Sequence, residues 1–221
     1  EAMLERGIKG SFGLGGITGY FVNMLHEGLV DKLLDVQSFD LEAVKSITED
    51  RRHIEISADM YANPLNCGAA VNMLDVVILG ATEVDRDFNV NVNTEADGAL
   101  LHGIGGHQDA AAGAKLTIIA QPLLRGRIPC VTDTVYTVTT PGECVDAVVT
   151  EYGITVNPRR DDLVEACKEI HDVPILSMDE LADRAMQMSG VMDPVETSDR
   201  IVGVVEWRDG TVIDVVRQTK Q

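Results

Sequence analysis

Aromatic residues and long apolar runs are both scarce in this chain. Phe, Trp and Tyr make up 4% of the 221 residues, whereas apolar residues as a whole reach 45%, so we expect a core of aliphatic side chains. No apolar run approaches the roughly 20 residues of a membrane span. The first ten residues carry charges where a signal peptide has its apolar stretch. We therefore expect a globular protein of the cytoplasm that does not contact a membrane.

Basic residues are few. The chain has 18 Lys and Arg against 36 Asp and Glu, a formal net charge of −18. A surface this acidic repels phosphate backbones, which argues against nucleic acid as a partner. Solubility accounts for most of the charge, and a local basic site for an anionic ligand remains compatible with it.

Closely spaced metal ligands are also lacking. The four cysteines show neither C-x-x-C spacing nor a cluster with histidine, so they predict reduced thiols rather than a zinc site or a disulfide framework. His102 and His107 are five residues apart in a glycine-rich stretch and lack the i, i+4 spacing of helical zinc motifs. We predict no metal site. The cysteines are Cys67, Cys130, Cys144 and Cys167.

The apolar pattern predicts alternating helices and strands, hence one α/β domain over residues 1–221 with a largely parallel or mixed sheet. The predicted helices are Thr18 to Leu34, one capped by Asp40, Asp161 to His171, and Met178 to Met188. The predicted strands are Leu74 to Leu79 (buried on both faces), Leu116 to Ala120, Tyr136 to Thr140, Val145 to Val149 and Val173 to Leu176. Ile201 to Arg208 and Thr211 to Arg217 predict a C-terminal hairpin with a type I′ turn at Asp209-Gly210.

The first glycine-rich segment is GLGGITG, from Gly13 to Gly19. Glycines before a helix N-terminus let backbone N–H groups approach an anion or a developing oxyanion, which makes Gly15 and Gly16 candidate catalytic residues. A tight packing turn explains the segment equally well. Thr18 stands where the dinucleotide fingerprint needs glycine, which disfavours a dinucleotide-dependent oxidoreductase.

The second glycine-rich segment is HGIGGHQDAAAGAK, residues 102–115. Gly105 and Gly106 permit backbone geometry that side chains forbid, and Asp109 is expected to cap a helix that opens at Ala110. The small residues that follow, up to Gly113, would let this helix pack closely against a backbone or a flat ligand. His107 has the ordinary alternative of a loop histidine.

Polar residues also follow the predicted strand at Leu74. The stretch from Gly80 to Val92 contains Glu83 and Asp85, which lie where active sites of parallel sheets form, and it also contains Asn89. A solvated carboxylate is the common alternative for a lone acid. Farther on, LLRGR ends in Arg127, whose guanidinium suits carboxylates and phosphates. A surface salt bridge is the default alternative for this arginine.

These segments, in this order, resemble one family. GGHQDAAAGAK, from Gly105 to Lys115, is similar to the G-G-x-x-D-x-x-x-G-A-K segment in the β-type half of coenzyme A transferases. The stretches 15–40, 61–92 and 199–218 resemble the C-terminal half of the citrate lyase α subunit. The resemblance runs essentially from end to end of the chain.

The resemblance implies an α/β fold of the coenzyme A transferase type (NagB/RpiA-type, three layers) with a mixed, largely parallel sheet and a C-terminal β-hairpin. It implies a transferase that exchanges acetate for citrate on a thioester, with acetyl-coenzyme A or an acetyl-acyl-carrier-protein as co-substrate and no covalently bound cofactor. The implied partners are citrate, the acyl carrier protein subunit, the citryl-lyase β subunit, the N-terminal half of the same subunit and further copies of the chain.

One departure from the transferases bears on mechanism. Those that form a glutamyl thioester carry Glu in an S-E-N-G segment, and Phe39 stands at that position here. A phenyl ring cannot attack a thioester, so the citrate carboxylate itself is expected to attack, with Glu83 and Asp40 as lesser candidates for a nucleophile. Substrate or coenzyme A binding is then expected at Gly105, Gly106, His107, Asp109, Gly113, Asn89 and Arg127. A non-catalytic scaffold half and a transferase for another acid, such as citramalate, are the alternatives.

Overall fold

The computed structural model describes residues 2–190 and 195–220, and the chain forms two compact units that divide between Met73 and Leu74. Such a division does not test whether the units fold together, so the single domain over 1–221 stays a prediction. No helix among the described residues is long and apolar enough to cross a membrane.

The first unit alternates helices and strands. Its elements are α1 (Ala2–Glu5), β1 (Gly13–Ile17), α2 (Gly19–His26), β2 (Leu33–Ser38), α3 (Leu41–Glu49), β3 (His53–Glu55), α4 (Ala58–Ala62) and a 3-10 turn at Ala70–Met73. The strands form a parallel sheet in the order β1-β2-β3, in which Leu33 pairs with both Gly13 and His53. Because burying aliphatic surface drives folding, α2 and α3 pack on this sheet. The resulting core is Ile17, Val22, Leu25, Val30, Leu33 and Ala43.

Two predictions for this unit are wrong. The helix predicted from Thr18 to Leu34 ends at His26, and Leu33–Ser38 is strand β2. Gly28, with φ +68°, reverses the chain between the two, since glycine adopts this conformation without a steric penalty. The predicted glycine loop is largely strand β1. The cap at Asp40 is confirmed, because its carboxylate accepts the N–H of Ala43 at 2.9 Å.

The second unit contains a four-stranded sheet and smaller β structures. Its strands are β4 (Val76–Leu79), β5 (Glu83–Asp85), β6 (Val90–Asn91), β7 (Leu116–Ala120), β8 (Leu124–Arg125), β9 (Ile128–Pro129), β10 (Val131–Thr132), β11 (Ala147–Thr150), β12 (Gly153–Val156), β13 (Thr197–Glu206) and β14 (Val212–Thr219). Its helices are α5 (His107–Gly113), α6 (Asp161–Cys167) and α7 (Met178–Ser189), with a 3-10 turn at Gly142–Cys144.

The four-stranded sheet has the order β12-β11-β7-β4, with only β12 antiparallel to its neighbour. Strands β10, β5 and β6 form a second sheet, and β8–β9 and β13–β14 are hairpins. Val84, Ile119, Leu123, Val148 and Leu181 lie in one aliphatic core. The expected α/β architecture, with mixed, largely parallel sheets and a C-terminal hairpin, is therefore confirmed.

Several local predictions for the second unit are wrong. Strand β4 lies at the edge of its sheet rather than buried on both faces, and Ile78 is 67% exposed. Residues 136–140 and 173–176 form no strands, and each contributes one isolated bridge, Thr140 to Val90 and Ile175 to Ile154. Helix α6 ends at Cys167, short of the predicted His171.

The turn of the C-terminal hairpin also differs from the prediction. A type I′ turn needs positive φ at both central residues, but in this turn only Gly210 has positive φ, at +86°. Gly210 donates its N–H to the carbonyl of Trp207, and Trp207 donates to Thr211. This pattern is a type I turn followed by a left-handed glycine, in which the Asp209 carboxylate accepts the N–H of Thr211 at 2.9 Å.

Candidate functional site

The C-terminal end of β4 holds two neighbouring segments in place. His107 Nε2, at the start of α5, lies 3.0 Å from the carbonyl oxygen of Gly80. The Nη2 atom of Arg125, at the end of β8, donates to the next carbonyl oxygen, that of Ala81, at 3.0 Å. The α5 N-terminus and the β8–β9 hairpin therefore meet at the carboxyl end of a parallel strand, where active sites of such sheets form.

The hydrogen bonds of His107 define its tautomer. Its Nε2 faces a carbonyl oxygen and must donate, and its Nδ1 lies 2.8 Å from the Thr140 hydroxyl. Burial lowers the pKa of His107 to about 4, so the ring is neutral at pH 7 and Nδ1 accepts the hydroxyl proton of Thr140. Both ring nitrogens are engaged within the protein, which gives the side chain a positioning role at the start of α5.

Replacing His107 with glutamine is expected to flatten part of the pH dependence of stability. Because the folded-state pKa lies below the ordinary value of about 6.5, the unfolded chain binds the proton more readily. This contribution to stability is therefore complete above about pH 6.5 and is lost as the pH falls towards about 4. Urea unfolding across that range should show a shallower decline for His107→Gln than for the parent chain.

The matched control is the exposed His171. His171→Gln removes one histidine from an exposed position and so controls for the substitution itself. An equally steep decline in His107→Gln would contradict the role assigned to the neutral His107.

The glycine turn before α5 is open to solvent. Gly105 has φ +60°, and no heavy atom lies within 4 Å of the position that a Cβ atom would take at Gly103 or Gly105. Gly106 is the N-cap of α5, and its carbonyl accepts the N–H of Ala110. Gly113 is the last residue of the helix. A ligand can therefore approach the backbone of this turn without displacing a side chain.

Asp109 does not cap a helix that opens at Ala110, contrary to the sequence prediction. Helix α5 already begins at His107, so Asp109 lies within its first turn. Its carboxylate instead accepts the Nε–H of Arg208 at 2.8 Å, and both side chains are mostly buried. Next to it, Gln108 Nε2 donates to the carbonyl of Glu206 at 2.9 Å. The turn of the C-terminal hairpin is thereby fixed to the helix that follows the glycine turn.

Arg208 is a site residue that the sequence did not reveal. It lies 99 residues from Asp109, in a hairpin predicted only as a structural element. A guanidinium near the start of a hairpin turn has many ordinary explanations, and nothing in the local pattern selects Asp109 as its partner.

Glu83 and Asn89 have structural partners in the β5–β6 region. The buried Glu83 accepts hydrogen bonds from Asn91 Nδ2 at 2.8 Å and from the N–H of Tyr136 at 3.0 Å, and burial raises its pKa. Asn89 binds the Asp85 carboxylate and accepts the N–H of Gly142 at 3.0 Å. Both side chains therefore stabilise this region.

Asn89 also borders a polar cleft of about 420 Å³. The cleft is formed by the β5–β6 turn and by two later loop segments. Its lining residues are Arg86, Asp87, Phe88, Asn89, Pro141, Gly142, Glu143, Asn157, Pro158 and Arg159. Gly142, which donates to Asn89, lies two residues after Thr140, so one short segment supports both Asn89 and His107.

In the first unit, Gly15 and Gly16 lie within β1 rather than in a loop. The pairing of β1 with β2 shifts register between these two residues, and Gly15 has φ +111°. A Cβ atom at Gly16 would lie 1.9 Å from the ring of Phe39, so glycine is needed for that ring to pack.

The Asp40 carboxylate accepts the N–H of Gly19 at 2.7 Å and that of Ala43. The N-terminus of α2, expected to face a ligand anion, is therefore partly occupied by this carboxylate.

The hydrogen bonds of Asp40 also determine its acidity. Backbone donors, first Gly19 and then Ala43, lower its pKa. Asp40 is a stable helix-capping carboxylate, which makes it a weaker nucleophile than a free one.

An Asp–His–Ser group with a buried carboxylate and imidazole lies in the same unit. Asp35 Oδ2 accepts the Ser38 hydroxyl at 2.5 Å and lies 3.1 Å from His53 Nε2. The carboxylate lies between the hydroxyl and the imidazole, so the histidine does not act as a base on the serine, as a nucleophilic triad requires. The group is a structural contact between β2 and the start of β3.

Within the described residues, no cluster of three or more His, Cys, Asp or Glu side chains has the geometry of a metal site. The predicted site residues of the first and second units, Gly15 and Gly16 on one side and those around Gly105 on the other, belong to different units.

Comparison with known proteins identifies the family. The model of the citrate lyase alpha subunit (CitF) matches residues 1–219. The chain is 50% identical over 220 residues to the citrate lyase alpha chain of Klebsiella pneumoniae and 49% identical over 221 residues to that of Escherichia coli K12. All of this chain is covered, but only 43% of each relative.

A solved structure also matches this chain over its whole length. A crystal structure described as the alpha subunit of citrate lyase from Streptococcus mutans, in complex with citrate, superposes with a TM-score of 0.96 at 48% identity. The match covers 100% of this chain and 43% of that one. The chain thus spans less than half the length of its relatives, and its assignment to their second half stays a prediction. Since the family model covers almost the whole sequence, the chain belongs to the citrate lyase alpha subunit family.

Proposed function

We propose that this chain is part of a transferase that exchanges acetate for citrate on a thioester. The reactants are citrate and the acetyl thioester of an acyl carrier protein or coenzyme A, and the products are a citryl thioester and acetate. The observation that carries the proposal is the match of the entire chain, at a TM-score of 0.96, to a structure described as a citrate lyase alpha subunit bound to citrate. The open glycine turn at Gly103–Gly106 supports it.

The proposed chemistry needs no side-chain nucleophile. A citrate carboxylate oxygen attacks the acetyl carbonyl and the carrier thiolate leaves, giving a mixed anhydride of citric and acetic acids. The thiolate then attacks the citryl carbonyl of the anhydride and expels acetate, so atoms and charge balance. Both steps pass through an oxyanion, which preorganised backbone N–H groups stabilise. The amides of Gly105 and Gly106 are proposed for that task, and Gly15 and Gly16 stay proposed catalytic residues of the first unit.

The side chains that could compete with citrate as the nucleophile are poorly suited to attack a thioester. Phe39 stands where related transferases carry Glu and has no nucleophilic atom. Glu83 is buried and accepts two hydrogen bonds, and Asp40 accepts N–H groups from two helix N-termini. These contacts favour attack by the substrate carboxylate.

The fold type, the partners and the cellular location of the transferase are part of the same proposal. The resemblance supports a coenzyme A transferase-like fold, the rest of the subunit as a partner, an acyl carrier protein subunit, a citryl-lyase β subunit, a homo-oligomer and a location in the cytoplasm. Acetyl-coenzyme A would serve as a stand-in co-substrate for the carrier in the test tube.

The test uses the full-length subunit that contains this chain. Incubation with citrate and acetyl-coenzyme A should give citryl-coenzyme A and acetate, measured by liquid chromatography and mass spectrometry. Citramalate in place of citrate tests the identity of the acid. Partner binding without any thioester exchange, at any subunit concentration, would refute the transferase and favour a scaffold.

A further inference from the structure

The β8–β9 hairpin presents two arginines on a strongly acidic chain. Arg125 ends β8, Arg127 follows Gly126 in the turn, and no acidic residue lies between Leu123 and Cys130. The carboxylate of Glu151 accepts the N–H of Leu123 at 2.9 Å, at the base of the hairpin rather than at its tip. The tip is therefore locally basic although the whole chain carries a formal charge of −18.

The two arginines differ in what they contact. The guanidinium of Arg125 donates to the Ala81 carbonyl and fixes the hairpin to the end of β4. Arg127 is exposed, and its side chain has no hydrogen bond or ion pair with any residue in 2–190 or 195–220. Arg127 therefore does not form, with the described residues, the surface salt bridge that was the default alternative for it. Its donors are available to a ligand.

The hairpin and the residue that directly follows the glycine turn are anchored at the same end of β4. Arg125 and His107 bind the carbonyl oxygens of consecutive residues, Ala81 and Gly80, whose Cα atoms are about 3.8 Å apart. Arg127 lies two residues after Arg125, the residue that holds the hairpin to β4. In a pantetheine carrier the thioester and the phosphate stand at opposite ends of one arm, so a phosphate site must be offset from the residues that hold the carbonyl.

We propose that Arg127, at the tip of the β8–β9 hairpin, binds the phosphate of the thioester carrier while the glycine turn at Gly105 receives its carbonyl end. The planar guanidinium fork suits phosphate oxygens. The inference rests on the proposed function and adds the phosphorylated pantetheine arm as the ligand class of this hairpin.

The test compares thioesters with and without phosphate on the full-length subunit. Arg127→Gln should raise KM about tenfold or more for acetyl-coenzyme A and acetyl-phosphopantetheine, the loss expected for one charge-assisted contact. It should leave KM for acetyl-pantetheine and for citrate unchanged. Arg200→Gln is the matched control, since Arg200 is likewise exposed and without a side-chain partner among the described residues.

Equal changes in KM for all three thioesters, or no change in KM for any of them, would overturn the phosphate site. A rise in KM for citrate alone would assign Arg127 to the acid instead and would also overturn it. Calorimetric binding of coenzyme A and of pantetheine separates this inference from the proposed activity. If the subunit turns over no thioester, a tenfold weaker binding of coenzyme A to Arg127→Gln still supports the site, and unchanged binding refutes it.

Discussion

Replacing Gly105 with valine is expected to lower the rate of citryl thioester formation by at least about 100-fold, the range known for loss of one oxyanion donor. Gly105 has φ +60° and open space above it. A valine there both disfavours this backbone conformation and fills the space through which a thioester carbonyl would approach. The cost to folding should be only about 1–2 kcal/mol, the penalty of one left-handed residue. Steady-state kinetics and urea unfolding measure the two effects separately.

Gly28 offers a matched control for Gly105. It has φ +68° and no heavy atom within 4 Å of a Cβ position, but it lies in the turn after α2. Gly28→Val should therefore lose similar stability and keep its activity. Equal activity losses in the two variants, or full activity in Gly105→Val, would mean that the glycine turn does not contact the reacting carbonyl.

Replacing Arg208 with methionine is expected to lower kcat by roughly 10- to 100-fold, because misplacing a catalytic group by about 1 Å can cost that much. Arg208 binds Asp109 in the first turn of α5, directly after the glycine turn. Without this ion pair, the turn loses one of its links to the C-terminal hairpin. A positioning role predicts a fall in kcat with a smaller change in KM.

A double-mutant cycle isolates this ion pair. Asp109→Asn and Arg208→Met should each reduce kcat, and the double variant should be little worse than either one, since each substitution removes the same contact. Arg200→Met, on the same hairpin, controls for the loss of an arginine that forms no ion pair with the described residues. Additive losses would refute the coupling, and a fall in stability with an unchanged kcat would assign the pair a purely structural role.

The sequence was sufficient to predict those helices and strands that are defined by local signals. Helix α7 was predicted within one residue of its end, and a capping box formed by Ser177 and Glu180 explains where it begins. Asp40 was recognised as a cap because its carboxylate is followed by a helical pattern. Strand β7 was predicted with its observed bounds, Leu116 to Ala120. Each signal lies within a few residues of the element that it defines.

The wrong predictions concern segments whose structure depends on distant neighbours. Leu33 continues the helical spacing of α2, yet pairing with Gly13 and His53 makes it part of a strand. Gly13 to Ile17 has too many glycines to indicate a strand, but its pairing with β2 overrides that preference. The exposure of Ile78 depends on the position of β4 at the sheet edge, which an apolar run cannot reveal.

The candidate site was predictable only in part for the same reason. Gly105 and its neighbours were found because glycines cluster before a helix, and the structure shows their turn exposed. The connection of Asp109 to Arg208 spans 99 residues and left no local pattern. The anchoring of His107 and Arg125 on Gly80 and Ala81 likewise depends on the fold.

The proposed mechanism depends most on oxyanion stabilisation by backbone amides without an enzyme nucleophile. Rapid-quench mass spectrometry of the full-length subunit with acetyl-coenzyme A alone, and then with citrate, tests it most directly. We expect no acyl or coenzyme A adduct on the protein at any time, and citryl-coenzyme A only after citrate is added. A coenzyme A thioester on Glu83, Asp40 or any other carboxylate, formed before citrate is present and consumed afterwards, would contradict it.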